Sequence, residues 1–167
     1  MKSTADRIYE TLSTAFGLGY LPIAPGTWGS LLGVGIFAAI SLAAPYHHHG
    51  ILIAAALLVV CIVSIPLGSW AERYWGETDP SPFVLDEVAG FLFTVLLFRT
   101  PDLIVTLAWA FVASRVFDII KPWPANWLER MHGGWGILLD DLCASLYAGI
   151  VLNILATYVP WLFWPLF

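Results

Sequence analysis

Long apolar runs separated by short polar segments dominate the chain. The 61 positions between Glu10 and Glu72 contain no Asp, Glu, Lys or Arg, and neither do the 26 positions that follow Asp141. A soluble domain could not cover stretches of this length with its own polar surface. About 20 consecutive apolar residues cross a bilayer as one helix. The pattern therefore predicts a protein whose helices cross a membrane several times.

Four apolar segments are long enough for a membrane-spanning helix. They are 31–44, which Gly29 and Ser30 extend and Pro45 ends, 51–70, 103–120 and 142–167. A fifth segment, 88–98, has only 11 residues and crosses only if its flanks contribute. Aromatic side chains favour the headgroup interface, and the last segment ends in Trp161, Phe163, Trp164 and Phe167. The sequence thus predicts an all-α, polytopic membrane helical bundle of four to five spans, with a single domain over 1–167.

The basic residues give this bundle an orientation. With five alternating crossings and a cytoplasmic N-terminus, only Arg99 of the seven basic residues falls outside, as the positive-inside rule predicts. The polar segments 72–87 and 115–141 then share the cytoplasmic face. The net charge of -5 argues against nucleic acid as a partner, because phosphate contacts need clustered Lys and Arg.

Acidic residues gather at this predicted cytoplasmic face. Asp86 and Glu87 open one apolar segment, Asp140 and Asp141 open another, and Asp118 ends a third. Acidic residues at a helix start interact favourably with its dipole, but carboxylates at membrane depth are costly and usually functional. Five converging carboxylates repel each other, so a cation must hold them together. Oxygen ligands of this number suit Mg2+ or Mn2+, as one ion or as two.

A turn rich in Pro and Gly leads into the first span. Its N–H groups near Gly26, with the hydroxyls of Thr27 and Ser30, form a helix start that can bind an anion such as phosphate. The same turn can simply begin the helix, with Thr27 or Ser30 as the N-cap. The two interpretations do not exclude each other.

A row of charged residues lies at the end of the apolar segment 103–120. Arg115, Asp118 and Lys121 are spaced three apart, so they share one helical face if the helix lasts until Pro122. They form either an ion-pair ladder of small energetic value or a site in which Asp118 binds metal and both basic side chains bind phosphate.

These motifs resemble those of the phosphatidylglycerophosphatase A family. Four segments carry the resemblance in family order: 22–30 (PIAPGTWGS), 85–90 (LDEVAG), 118–124 (DIIKPWP) and 132–141 (HGGWGILLDD). One departure is Ser145, where the family pattern leads us to expect Gly. The resemblance implies a Mg2+-dependent lipid phosphomonoesterase of the bacterial cytoplasmic (inner) membrane. Its substrates would be phosphatidylglycerophosphate and water, with the acyl chains left among the membrane lipids.

With this activity in view, we form a mechanistic hypothesis that gives roles to individual residues. The metal ligands would be five carboxylates, of which the first and last are also catalytic candidates: Asp86, Glu87, Asp118, Asp140 and Asp141. Arg115 and Lys121 would bind the phosphate, together with Gly26, Thr27 and Ser30. His132 would protonate the leaving glycerol alkoxide as a general acid.

Several alternatives stay open at this point. Attack by a metal-activated water and an aspartyl-phosphate intermediate are both compatible with the acidic cluster. A small ion-coupled transporter or channel subunit would use the same carboxylates as a cation site. Homo-oligomers are compatible too, since apolar helices pack on lipid or on copies of themselves with similar patterns.

Overall fold

The computed structural model describes residues 3–163, and every regular element in that range is helical. The α-helices are α1 (Thr4–Ser13), α2 (Pro25–Ala43), α3 (Tyr46–Trp75), α4 (Leu85–Leu97), α5 (Leu103–Ile120), α6 (Ala125–Leu128) and α7 (Gly134–Tyr158). Two short 3-10 segments, Leu18–Tyr20 and Pro160–Phe163, complete the described secondary structure. The all-α prediction is confirmed.

Four of these helices, α2, α3, α5 and α7, have the length and apolar composition to cross a membrane. They correspond to the four long apolar segments, and α5 has the predicted bounds. Large apolar side chains such as Leu58, Ile62 and Ile104 are exposed on their outer faces. Lipid is the solvent that such faces require, so the protein is a membrane protein.

Helix α4 is shorter and lies inside the bundle, in contact with all four long helices. Its 13 residues rise only about 20 Å, and eight of them are buried. It starts beside Gly29 of α2, and at its far end a Cβ on Gly149 of α7 would lie 2.7 Å from Leu97 Cβ. The segment 88–98 therefore extends to Leu85 and runs between the two ends of the bundle as its core.

Glycines set the close spacing of α4 against its neighbours. A Cβ at Gly29 would lie 2.7 Å from Val84 Cβ, so a larger residue would push α2 away. Ser145, the departure from the family pattern, lies opposite Gly90, where a Cβ would be 2.8 Å from the serine Oγ. At this crossing the glycine is Gly90, on α4, and the side chain of Ser145 packs against it.

The start of α2 differs from the prediction. Its N-cap is Ala24, with a left-handed φ of 50°, and no side chain caps the helix. Pro25 takes the first helical position, where its fixed φ and missing N–H do no harm. The predicted N-cap role of Thr27 or Ser30 is therefore wrong, since both lie inside the first two turns.

The start of α7 also lies earlier than predicted. The helix begins at Gly134, so Asp140 and Asp141 are its seventh and eighth residues, about two turns in, rather than at its opening. Side chains of α3 satisfy its first N–H groups: Gly133 N donates to Glu72 Oε2 at 2.8 Å, and Gly134 N donates to Ser69 Oγ at 2.9 Å.

The aromatic residues at the end of the chain follow α7, which stops at Tyr158. Trp161 and Phe163 belong to the short 3-10 segment that comes next. Trp164 and Phe167 lie outside the described residues.

The N-terminal helix α1 packs against the end of α3. Trp70 Nε1 donates to Asp6 Oδ1 at 3.3 Å, and Tyr74 Oη donates to Glu10 Oε2 at 3.3 Å. Because Glu72 of α3 also caps α7, α1 lies at the end of the bundle where α7 begins.

Candidate active site

A polar cavity of about 220 Å³ opens at the end of the bundle where α2 and α4 begin and α5 ends. Its lining is Pro25, Gly26, Asp79, Ser81, Phe83, Asp86, Glu87, Asp118, Lys121 and Asp141. Four of the five carboxylates predicted for the site line this cavity, and the fifth, Asp140, contacts the lining residue Lys121.

Three helices deliver the five predicted carboxylates. Asp86 and Glu87 occupy the first turn of α4, where the helix dipole favours negative charge. Asp118 lies in the last turn of α5, and α7 supplies Asp140 and Asp141 about two turns after its start. Because these parts of the three helices lie at the same end of the bundle, the five carboxylates lie close together.

One group of carboxylates lies beside Arg115. Glu87, Asp118 and Asp141 each offer an oxygen within 4.8 Å of the others, and we name them the Arg115 trio. Arg115 forms a two-pronged ion pair with Glu87 and approaches Asp118 Oδ2 at 3.3 Å. The guanidinium is thus held by carboxylates.

A second group surrounds Lys121. Asp79, Glu129 and Asp140 have oxygens within 4.8 Å of one another, and we name them the Lys121 trio. The Lys121 Nζ atom donates to Asp140 Oδ2 at 2.6 Å and to Glu129 Oε1 at 3.0 Å. Burial of Lys121 lowers its pKa, but the hydrogen bond and charge of Asp140, with the bond to Glu129, outweigh burial and raise the pKa overall. The ammonium therefore stays charged.

The placement of Lys121 corrects the predicted charged row. Helix α5 ends at Ile120, and Lys121 is its C-cap, with a left-handed φ of 42°. The chain turns there, which carries the side chain off the face of Arg115 and Asp118 and towards α7. The ladder therefore includes only Arg115 and Asp118, at 3.3 Å.

Three buried carboxylate oxygens have no hydrogen-bond partner within residues 3–163: Asp86 Oδ1, Asp140 Oδ1 and Oε1 of Glu72, whose other oxygen caps α7. Asp86 is 6% exposed and Asp140 is 1% exposed. Burial of an unpaired carboxylate oxygen is expensive. Among the described residues, the seven carboxylates of the cavity and the groups around Arg115 and Lys121 form ion pairs with these two basic side chains alone, so the carboxylates outnumber their cationic partners.

The surplus of negative charge defines the ligand chemistry of this cavity. A donor set made only of carboxylate oxygens fits a hard divalent cation such as Mg2+. An anionic substrate would be repelled unless a cation reversed the local field. The residues present therefore fit the metal that the sequence indicates.

The turn before α2 contributes less to the cavity than predicted. Gly26 lines it, and a Cβ there would overlap the Glu87 carboxylate, so the absence of a side chain permits this approach. Thr27 is half-buried, Ser30 is buried, and neither lines the cavity. Their predicted roles in substrate binding gain no support from this placement.

His132 is exposed in the loop between α6 and α7, and it is not part of the cavity lining. Its role as general acid stays a prediction.

Three residues at this end were missed from sequence: Asp79, Ser81 and Glu129. Asp79 has a left-handed φ of 49°, which Asp adopts more readily than most residues. Burial raises the pKa of Asp79, and the charge of Lys121 partly offsets this. The motif Asp-Pro-Ser-Pro at 79–82, close before Asp86, marks a rigid acidic turn. Glu129 has no comparable signal, because its contact with Lys121 comes from folding of the loop.

Comparison with known families agrees with this geometry. A family model described as phosphatidylglycerophosphatase A matches residues 11–156. The chain belongs to the phosphatidylglycerophosphatase A family. The matched range contains the whole cavity lining and both trios. The predicted enzyme class, a lipid phosphatase, is confirmed, and the transporter alternative lapses.

Curated relatives of the phosphatidylglycerophosphatase A family cover most of the chain. A phosphatidylglycerophosphatase A of Escherichia coli K12 is 31% identical over 95% of this chain and 86% of its own length. One of Haemophilus influenzae is 35% identical over 84% and 83%. A protein of Bacteroides thetaiotaomicron named putative phosphatidylinositol-3-phosphatase is 36% identical over 86% and 90%. No solved structure matches the chain.

Proposed function

We propose that the chain hydrolyses phosphatidylglycerophosphate to phosphatidylglycerol and inorganic phosphate in a Mg2+-dependent reaction. The observation that carries this proposal is the cavity in which buried carboxylate oxygens lack partners and both basic side chains are already paired. The names of the E. coli and H. influenzae relatives support the substrate.

The Arg115 trio is the best-placed group to hold Mg2+, with Asp86 beside it. Asp140 was expected in the same set but faces Lys121 instead. When bound, Mg2+ supplies positive charge that offsets the carboxylates and stabilises the charge of the transferring phosphoryl group.

The remaining residues position the substrate. Gly26, in the first turn of α2, leaves a backbone surface at the helix N-terminus that favours a phosphate oxygen. Lys121 uses two of its three N–H bonds on carboxylates, so one is left for the phosphate. The reaction breaks the bond between phosphorus and the glycerol oxygen; water provides the new oxygen on phosphate and a proton for the leaving alkoxide.

The cavity end of the bundle faces the cytoplasm in this proposal, and the membrane is the bacterial inner membrane. Five of the six described Lys and Arg residues lie at or near the cavity end: Arg7, Arg73, Arg115, Lys121 and Arg130. Arg99 lies at the opposite end, close to Gly50 at the start of α3. This distribution is the bias of the positive-inside rule.

The test is phosphate release from phosphatidylglycerophosphate by the purified protein in detergent, with Mg2+ or with EDTA. We expect Mg2+-dependent release, and a loss of at least about 100-fold in Asp86→Asn and Asp141→Asn. Asp102→Asn is the matched control, because Asp102 caps α5 away from the cavity by accepting from Val105 N at 2.9 Å and Asn caps equally well. Undiminished release in EDTA would refute the metal dependence.

Phosphatidylinositol 3-phosphate belongs in the same assay, since the Bacteroides relative is named for that substrate. We expect faster release from phosphatidylglycerophosphate. A preference for the inositol lipid that is equally sensitive to Asp86→Asn would keep the site and change its substrate.

A further inference from the structure

We propose that the ammonium of Lys121 is the permanent cation of the Lys121 trio and keeps a second divalent ion out, so that the chain binds one divalent cation, at the Arg115 trio. This inference rests on the proposed Mg2+ dependence. It assigns different occupants to two carboxylate groups that sequence treats as one.

The Lys121 trio has the makings of a metal site of its own. The oxygens of Asp79, Glu129 and Asp140 lie within 4.8 Å of one another, a spacing from which three carboxylates can ligate one ion. Asp140 is 1% exposed, and its Oδ1 atom has no hydrogen-bond partner among the residues that the structure describes. Asp86, also buried with an unpartnered Oδ1, faces the same cavity as Asp79.

Lys121 already binds two of the three carboxylates that such an ion would need. Its Nζ atom is 2.6 Å from Asp140 Oδ2 and 3.0 Å from Glu129 Oε1. An ammonium and a divalent cation repel each other and cannot share the same carboxylate oxygens at these distances. While Lys121 stays in place, its charge substitutes for the second metal.

Backbone conformation does not explain why a lysine stands here. Lys121 is the C-cap of α5 with φ 42° and ψ 66°, a left-handed conformation that Gly adopts at least cost at helix ends. A non-glycine residue held in such a conformation indicates that its side chain is needed. The ion pairs with Asp140 and Glu129 explain why the side chain of Lys121 is needed at this position.

Arg115, like Lys121, pairs with two of the three carboxylates of its trio, and the two trios differ in the carboxylate that is left unpaired. Arg115 contacts Glu87 and Asp118, but no ion pair joins it to Asp141 within the described range. Asp141 is buried, lines the cavity and lies within 4.8 Å of the other two carboxylates. The unpaired member of the Lys121 trio, Asp79, is only partly buried, whereas in the Arg115 trio it is the buried Asp141 that lacks a cation. Because an unpaired buried carboxylate is costly, Asp141 is left for a divalent ion, with Asp86 nearby.

The test counts Mn2+ ions bound to the purified full-length protein in detergent, by electron paramagnetic resonance at saturating Mn2+. We expect one ion for the parent protein and two for Lys121→Met, which removes the charge and frees the Lys121 trio. Lys121→Arg should bind one, because the charge stays. Arg130→Met is the matched control and should also bind one, since Arg130 is exposed and pairs with no other described residue.

A second set of variants tests the assignment without removing the lysine. Glu129→Gln, at a half-exposed side chain, should still bind one ion in the Lys121 background. Asp141→Asn should bind none. The double variant Lys121→Met with Asp79→Asn should return to one ion, because the opened trio then loses a ligand.

The outcomes separate this inference from the proposed function. Two ions in the parent, or one ion in a Lys121→Met protein whose circular dichroism matches the parent, would overturn the inference alone. Loss of the parent's ion in Glu129→Gln would do the same. No bound Mn2+ in the parent would overturn both the inference and the Mg2+ dependence.

Discussion

The two ends of the bundle hold their polar side chains in different ways. At the end away from the cavity, buried Thr106 accepts from Thr100 N at 2.8 Å, and Asp102 accepts from Val105 N at 2.9 Å. These side chains finish the backbone hydrogen bonds of a turn and a helix start. At the cavity end, Asp86 Oδ1 and Asp140 Oδ1 are buried without a partner among residues 3–163.

This difference separates structural polar residues from functional ones. Threonine and aspartate at the far end gain their partners by folding alone, so they stabilise the fold without a ligand. The carboxylates at the cavity end are brought together at a cost, which only a cation can offset. The two ends should therefore respond differently to metal, to added volume and to loss of single side chains.

The largest effect that we expect is stabilisation by Mg2+. A ligand that binds only the folded state raises the free energy of unfolding by about 2.7 kcal/mol at roughly 100 times its Kd. Thermal unfolding of the parent in detergent, with Mg2+ or with EDTA, measures this gain. Asp102→Asn should keep the gain and Asp141→Asn should lose it. Equal stabilisation of Asp141→Asn would mean that Mg2+ acts elsewhere on the protein or the detergent.

A pair of glycines, one at each end, tests whether added volume affects activity only near the cavity. A Cβ at Gly29 would lie 2.7 Å from Val84 Cβ and 3.2 Å from Glu87 Cβ, and one at Gly149 would lie 2.7 Å from Leu97 Cβ. Both alanine variants should lose about 1–3 kcal/mol of stability through overpacking.

Activity should distinguish the two variants. Gly29→Ala displaces Val84, the residue before α4, and the Glu87 side chain at its Cβ, so we expect phosphate release to fall by about 10- to 100-fold. Gly149→Ala should keep near-parent activity in its folded fraction. Equal loss of activity in both variants would show that the cavity depends on the packing of the whole bundle.

The sequence predicts the bundle well because a bilayer imposes a length on its helices. The bounds of α5 follow directly from the apolar run 103–120. Helix starts were harder. The first N–H groups of α7 are capped by Ser69 and Glu72 of α3, more than 60 positions earlier, and no local pattern around Gly133 contains that information.

The residues of the candidate site were likewise predicted only in part. Asp86, Glu87 and Asp118 were found because carboxylates next to apolar runs are rare and expensive. Asp79 and Glu129 were missed because both lie in polar segments, where a charged residue is common and does not indicate a function. The separation into two trios follows from the left-handed turn at Lys121. A lysine in the sequence does not predict that conformation.

The smallest effect concerns His132, which sequence nominates as general acid. Its side chain is exposed and outside the cavity lining, so we expect His132→Gln to lower phosphate release by less than about ten-fold. A positioned general acid contributes roughly 100- to 10,000-fold. The pH profile of phosphate release therefore decides the role: an unchanged profile in His132→Gln leaves the proton to water or a carboxylate at the cavity end. A loss of 100-fold or more, with the limb of the profile on the alkaline side removed, would establish His132 as the acid and show that the loop before α7 closes on the substrate.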